Sequence, residues 1–179
     1  MKQELMRFVL GGLLAAGFTS TPAAHGEELK TEAEQAIEVF KKADPSLKKF
    51  FDESAGFAIC PSVGRGGLVF GGQHGNGVAY EKGKPVGEVT LTEINFGAQV
   101  GGASFYELIF FETDQNMKDL KESKTRLSAQ VNAVAAADGA AKTAKYDQGI
   151  VVFTLARSGL MVQATVGGQK LKFKPLKQN

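Results

Sequence analysis

Thirteen of the 22 glycines fall between Gly56 and Gly102, in a stretch otherwise rich in Val, Phe, Leu and Ile. They come as doublets and short ladders: Gly66-Gly67, Gly71-Gly72, Gly75-Asn76-Gly77, Gly101-Gly102. Glycine inside an apolar run marks tight turns, bulges or close backbone approach, because only glycine takes positive φ without steric cost. The stretch therefore predicts short strands with sharp corners, over residues 56–60, 67–70, 77–80, 86–91 and 96–100. Lys82-Gly83-Lys84-Pro85 reads as the turn of a hairpin within it.

Helical patterning precedes the glycines. Leu29, Ala33, Ala36, Ile37, Phe40 and Ala43 fall at the three- and four-residue spacing of an amphipathic helix over 28–43. Asp44-Pro45 stops that helix and starts another, with Asp44 as N-cap and Pro45 in the first turn. The second helix runs to about Glu53 and buries Leu47 with Phe50, Phe51 or both. Beyond the glycines, residues 107–112 (ELIFFE) form a strand, and Thr113 caps a helix over 114–122 holding Met117 and Leu120. Residues 127–144 carry two signals. Their alanines favour helix, whereas the alternation of Leu127, Ala129, Val131 and Ala133 favours a strand ending in a loop at Asp138-Gly139; the strand is preferred. Residues 149–155, 160–166 and 169–174 read as three more strands. The resulting expectation is an α+β fold: an antiparallel, glycine-rich β-sheet or barrel with N-terminal amphipathic helices packed against it.

At 179 residues the chain accommodates one well-sized domain. Residues 1–26 have the layout of an export signal. Lys2 and Arg7 supply the basic start, residues 8–18 the apolar segment, and Ala24 and Gly26 the small residues before a cut ahead of Glu27. That apolar segment is short of the roughly 18–20 residues a bilayer span needs. No lipoprotein cysteine follows it, so the expected product is a soluble, exported domain over 27–179, periplasmic in a Gram-negative cell. Its 19 basic and 18 acidic residues give no global charge that would call for nucleic acid. Cys60, the one cysteine, has no disulfide partner in the chain and reads as a small core residue.

Catalytic chemistry finds little support. His74 is the one histidine after residue 26 and has no ligand-spaced Cys, His or carboxylate, so it reads as a solvent-facing loop residue. Ser62 and Ser104 lack a nucleophile-elbow context. Gly64-Arg65-Gly66-Gly67 lacks the Gly-Lys-Ser/Thr ending of a phosphate loop; it reads as a tight turn from which Arg65 could still contact one anion. Cationic clusters are more suggestive. Lys170, Lys172 and Lys174 alternate with Leu171 and Phe173, so one strand face carries three charges within roughly 13–14 Å. The same pattern also protects an edge strand from aggregation. Lys41, Lys42, Lys48 and Lys49 stand beside Phe50 and Phe51, as in interfacial segments.

These residues fall in a recognisable order. Gly56-Phe57-Ala58-Ile59, then Pro61-Ser62-Val63-Gly64-Arg65-Gly66-Gly67, Gly71-Gly72 and Gly75-Asn76-Gly77-Val78 resemble the SYLF domain. So do Phe96-Gly97-Ala98-Gln99-Val100-Gly101-Gly102, Glu107-Leu108-Ile109-Phe110-Phe111-Glu112-Thr113, Ser158-Gly159-Leu160-Met161 and Gly167-Gly168-Gln169. The resemblance covers residues 33–175 and implies lipid binding. In eukaryotic members this is phosphoinositide binding, with actin binding in some; bacterial members are exported lipid-binding proteins. A periplasmic protein meets neither actin nor, ordinarily, phosphoinositides, so anionic phospholipid is the transferable ligand. The expectation is non-catalytic binding of an anionic membrane surface, without cofactor or metal, through Lys41, Lys42, Lys48, Lys49, Arg65, Lys170, Lys172 and Lys174. The alternative is an envelope module recognising a protein partner, with the lysines serving solubility.

Overall fold

The glycine-rich stretch forms long strands instead of short ones. The computed structural model describes residues 22–66, 70–96, 103–128, 133–158 and 168–176. Strand β1 spans Gly56–Gly66, β2 Phe70–Glu81 and β3 Lys84–Phe96. Most of the ladder glycines therefore sit inside strands, which corrects the expectation of corners. Close approach is the physical reason. A Cβ on Gly77 would overlap the Ile59 carbonyl oxygen and lie 2.8 Å from Cys60 Sγ. The register of β1 against β2 shifts between Ile59 and Ser62, so Pro61 occupies a bulge, where a residue without an N–H is tolerated. The predicted hairpin turn does form. Lys82 (φ 51) and Gly83 (φ 74) are both left-handed, as a two-residue type I′ connection requires.

Strands β4 (Ala103–Phe111), β5 (Val134–Ala135), β6 (Ile150–Ser158) and β7 (Lys170–Pro175) complete a seven-stranded sheet of order β5-β6-β4-β1-β2-β3-β7. All pairings are antiparallel except β5 with β6. Among the described residues the sheet remains open, so the sheet form of the expected architecture is realised and the barrel form is not. Among the described residues three α-helices accompany it: α1 (Pro22–Ala43), α2 (Lys48–Glu53) and α3 (Asp114–Lys121).

Period-two burial gives the sheet two apolar faces. On one, α1 lays down Leu29, Ala33, Ala36, Ile37 and Phe40 against Phe57, Ile59, Val78 and Tyr80, while Leu47 and Phe50 meet Phe110 and Phe153. Each large side chain buried this way contributes about 1.5–3 kcal/mol. On the other face, Ala58, Ala79, Leu91, Ile109 and Val152 meet Leu171 of β7, Leu127, and Met117 and Leu120 of α3. Helix α3 carries the expected cap: Thr113 and Asn116 form a reciprocal capping box.

Asp44 ties the α1 corner to a distant loop. Its carboxylate accepts hydrogen bonds from the Ser46 N–H (3.0 Å) and hydroxyl (2.5 Å), and from the N–H groups of Gly139 (3.1 Å) and Ala141 (2.7 Å). The strand expected from Leu127 onward falls partly on residues 129–132, which lie outside the described residues. Leu127 exchanges backbone hydrogen bonds with Gly168 and Gln169, and Arg126 bridges Lys170. Among the described residues of this stretch Val134–Ala135 pairs as β5, before the predicted loop, where Gly139 takes φ 78. The strand expected over 160–166, and parts of those over 67–70 and 96–100, lie outside the described residues.

Candidate functional site

Helix α1 ends, α2 begins and the β2–β3 hairpin turns at the same end of the domain. Between them lies a groove of about 840 Å³. Its floor is apolar: Ile37 comes from α1, Phe51 from α2, Phe57 from β1 and Tyr80 from β2. Local sequence accounts for each contribution. Ile37 belongs to the 3–4 stripe of α1, and Phe51 follows the buried Phe50 by one residue, which turns it to the helix flank. Phe57 and Tyr80 are cross-strand partners stacked at 4.8 Å with rings 10° apart. Phe51 stands edge-on to Phe57 at 5.1 Å.

Cations rim this floor. Lys41, Lys48 and Lys82 all line the groove and are exposed. Lys41 donates to Glu38 at 2.9 Å and lies 5.5 Å from the Phe51 ring centre, and Lys48 pairs with Asp52. That Lys41 contact holds the exposed Glu38 carboxyl below its ordinary value. Exposed pairs of this kind contribute little to stability, so both lysines can exchange partners at little cost. Lys82, absent from the expected set, enters because the type I′ turn carries it beside α1 and α2. Its signal in the sequence was the hairpin itself, read as a turn and not as a site.

The other predicted residues go elsewhere. Lys49 lies outside the groove, 5.2 Å from the Phe50 ring centre. Lys42 faces solvent among Glu34, Gln35 and Glu38. The β7 stripe has the expected alternation, with Leu171 buried and Lys172 and Lys174 exposed. Its outer edge, however, is paired to residues 125–127, and Lys174 reaches Glu88 at 3.4 Å. Glu88 neighbours Gly26 in the first turns of α1. Lys41 and Lys42 occupy the last turn, roughly 22–24 Å away at 1.5 Å per residue. The two basic groups thus form separate patches. The flank of α1 between them is acidic, exposing Glu27, Glu28, Glu32, Glu34 and Glu38.

Arg65 does not occupy a turn. It lies within β1, opposite Gln73 of β2 and Ala103 of β4, because the run Gly64-Arg65-Gly66 continues the strand past the bulge. His74 is exposed as expected, but on β2 opposite Gly64 and Thr92 and not in a loop. Cys60 is fully buried, and burial together with the charge of Glu107 raises its thiol well above the ordinary value.

A second polar group is enclosed on the α3 side of the sheet. Glu107 of β4 and Gln169, just before β7, are both fully buried, and Gln73 and Glu93 are nearly so. The Gln169 amide donates to Glu107 Oε2 at 3.2 Å and to Gln73 Oε1 at 3.3 Å. Strands β4 and β7 stand four places apart in the sheet order, so this contact requires the sheet to curl strongly about its second core. Burial pushes the Glu107 carboxyl up to about 8, against the Gln169 hydrogen bond and aided by the charge of Glu93. Glu107 Oε1 and Gln169 Oε1 are buried without a hydrogen-bond partner. Phase along the strands was the available signal: Glu107 shares the parity of Ile109 and Phe111, and Gln169 that of Leu171.

No family model matches the chain. It is 26% identical over 145 residues to "Beta cell expansion factor A" of Aeromonas veronii, in an alignment taking in 79% of this chain and 54% of that protein. The chain thus spans about half the length of this curated relative.

Proposed function

We propose that this chain is a SYLF-type domain of an exported envelope protein that binds anionic phospholipid without catalysis, through the end of the domain where α1, α2 and the β2–β3 hairpin meet. The carrying observation is the placement of Lys41, Lys48 and Lys82 around an apolar, aromatic-floored groove. Each lysine near an anionic bilayer contributes about 1 kcal/mol. Three give weak adhesion that falls with salt, and seating the half-buried Phe51 in the interface adds an apolar increment. The acidic flank of α1 would be repelled by the same surface, so the domain would meet it end-on. Cleavage ahead of Glu27 would keep the buried Leu29, Ala33, Ala36, Ile37 and Phe40 of α1. The likeness to a bacterial protein over most of the chain supports a shared domain.

Co-sedimentation with anionic and zwitterionic vesicles at two salt concentrations tests this function. Binding should be confined to the anionic vesicles and weaken at the higher salt. Equal binding to both, or none, would leave the protein-partner alternative standing in its place.

A further inference from the structure

The groove is more than a charged surface. Two of its lining residues, Tyr80 and Ser54, carry hydroxyls that are shielded from water and lack a hydrogen-bond partner. Tyr80 is only 5% exposed. Its phenol remains a donor at neutral pH, since burial and the charge of Glu34 both raise it above its ordinary value. An unsatisfied buried hydroxyl is costly, and an oxygen acceptor that reaches it recovers a full hydrogen bond. The groove thus brings together an apolar lining, two enclosed partnerless hydroxyls and exposed lysines.

We propose that the groove takes one single-chain anionic amphiphile, its acyl chain on Phe51, Phe57 and Ile37, its head oxygens accepting from Tyr80 and Ser54, and its charge met by Lys41, Lys48 and Lys82. The proposal rests on the anionic-lipid function above and narrows it from a surface to a molecule. Size sets the limit of one chain. At roughly 30 Å³ per non-hydrogen atom, taking the liquid share of one water as the measure, 840 Å³ holds roughly 28 such atoms. A fatty carboxylate or a one-chain lysophospholipid fits within it, whereas a two-chain phospholipid would leave much of its apolar surface outside the open groove. The volume also lies within the roughly 300–1,000 Å³ of small-molecule sites. Charge complementarity selects an anion: Lys82 forms no ion pair among the described residues, and the partners of Lys41 and Lys48 are exposed carboxylates that a ligand can replace.

Titration calorimetry of the full chain tests this with three probes: dodecanoate below its micelle concentration, dodecanol, and inorganic phosphate. Dodecanoate should bind saturably at one per chain, dodecanol about tenfold more weakly, and phosphate not detectably. Tyr80→Phe removes a partnerless hydroxyl, so it should leave the melting temperature unchanged or higher while weakening dodecanoate about tenfold. Lys48→Gln with Lys82→Gln should weaken dodecanoate but not dodecanol. Phosphate binding as tightly as dodecanoate, or Tyr80→Phe leaving dodecanoate affinity intact, would overturn the proposal. Vesicle binding without dodecanoate binding would overturn the groove assignment while the surface function stood. Dodecanoate binding without vesicle binding would support the groove and remove the surface function.

Discussion

The lysine-rimmed groove and the enclosed Glu107 cluster are both polar groups set against apolar walls, yet they bear on the protein in opposite ways. In the groove the lysines are exposed and Phe51 is half-covered above buried Ile37, Phe57 and Tyr80, so the charged groups there contribute little to folding and remain available for binding. Around Glu107 the polar atoms are sealed in. A carboxyl there opposes folding whenever it ionises, and it is reachable only through the fold. Substitutions in the first region should change binding and spare stability; substitutions in the second should do the reverse.

The largest expected effect comes from Glu107→Gln. With the folded carboxyl at about 8 against an ordinary 4.5, the folded state retains a proton that the unfolded chain has released. Stability therefore falls as pH rises from about 4.5 to about 8, by at most about 1.4 kcal/mol per pH unit, and levels off above. The Gln variant should lack this slope and exceed the parent by a few kcal/mol at pH 9. Urea unfolding from pH 4 to 9 checks it; an unchanged slope would mean the carboxyl is not sealed in. Vesicle binding should not move.

Next in size is Lys41, Lys48 and Lys82 all to Gln, which should reduce anionic-vesicle affinity by about 3 kcal/mol, roughly a hundredfold, at low salt. Chemical denaturation should place this variant within about 0.5 kcal/mol of the parent. A loss of stability comparable to the loss of binding would erase the distinction between the regions.

Asp44→Ala should cost about 2 kcal/mol, because the buried N–H of Ala141 would be left without its acceptor. The hydrogen bonds from Ser46, Ala141 and Gly139 outweigh burial and hold this carboxyl below its ordinary value. Its contribution is therefore present above the usual carboxylate range and lost as pH falls through the folded value. Thermal melts of parent and variant should converge at acid pH. The smallest effect is expected from Lys170, Lys172 and Lys174 to Gln: less than tenfold on vesicle binding, because the stripe lies at the far end of α1 and Lys174 already meets Glu88. A loss matching that of the groove lysines would move the membrane face to β7.

Much of the scaffold was legible because its signals are local. Asp44-Pro45, Thr113 and Lys82-Gly83 specify caps and a turn within a few residues, and the α1 stripe and β7 alternation show which side of each element is buried. The glycine ladder was legible as a constraint but not in its meaning. Gly77 leaves room for the bulged backbone of β1, whose partner register is not written in either segment alone. The site was half legible: Lys41, Lys48 and Phe51 lie close in sequence, whereas Lys82 joins them only through the β1–β2–β3 pairing.

What the sequence determined by itself was the type of most elements and the side of each that is apolar, since helix and strand periods are properties of neighbouring residues. Tertiary structure decided which polar groups meet. Glu107 and Gln169 lie 62 residues apart and touch because the sheet curls, and the Tyr80 and Ser54 hydroxyls are enclosed without a partner where α1, α2 and the β2–β3 hairpin come together. Burial, and with it the cost or use of a polar atom, depends on what covers that atom; no local period carries that information.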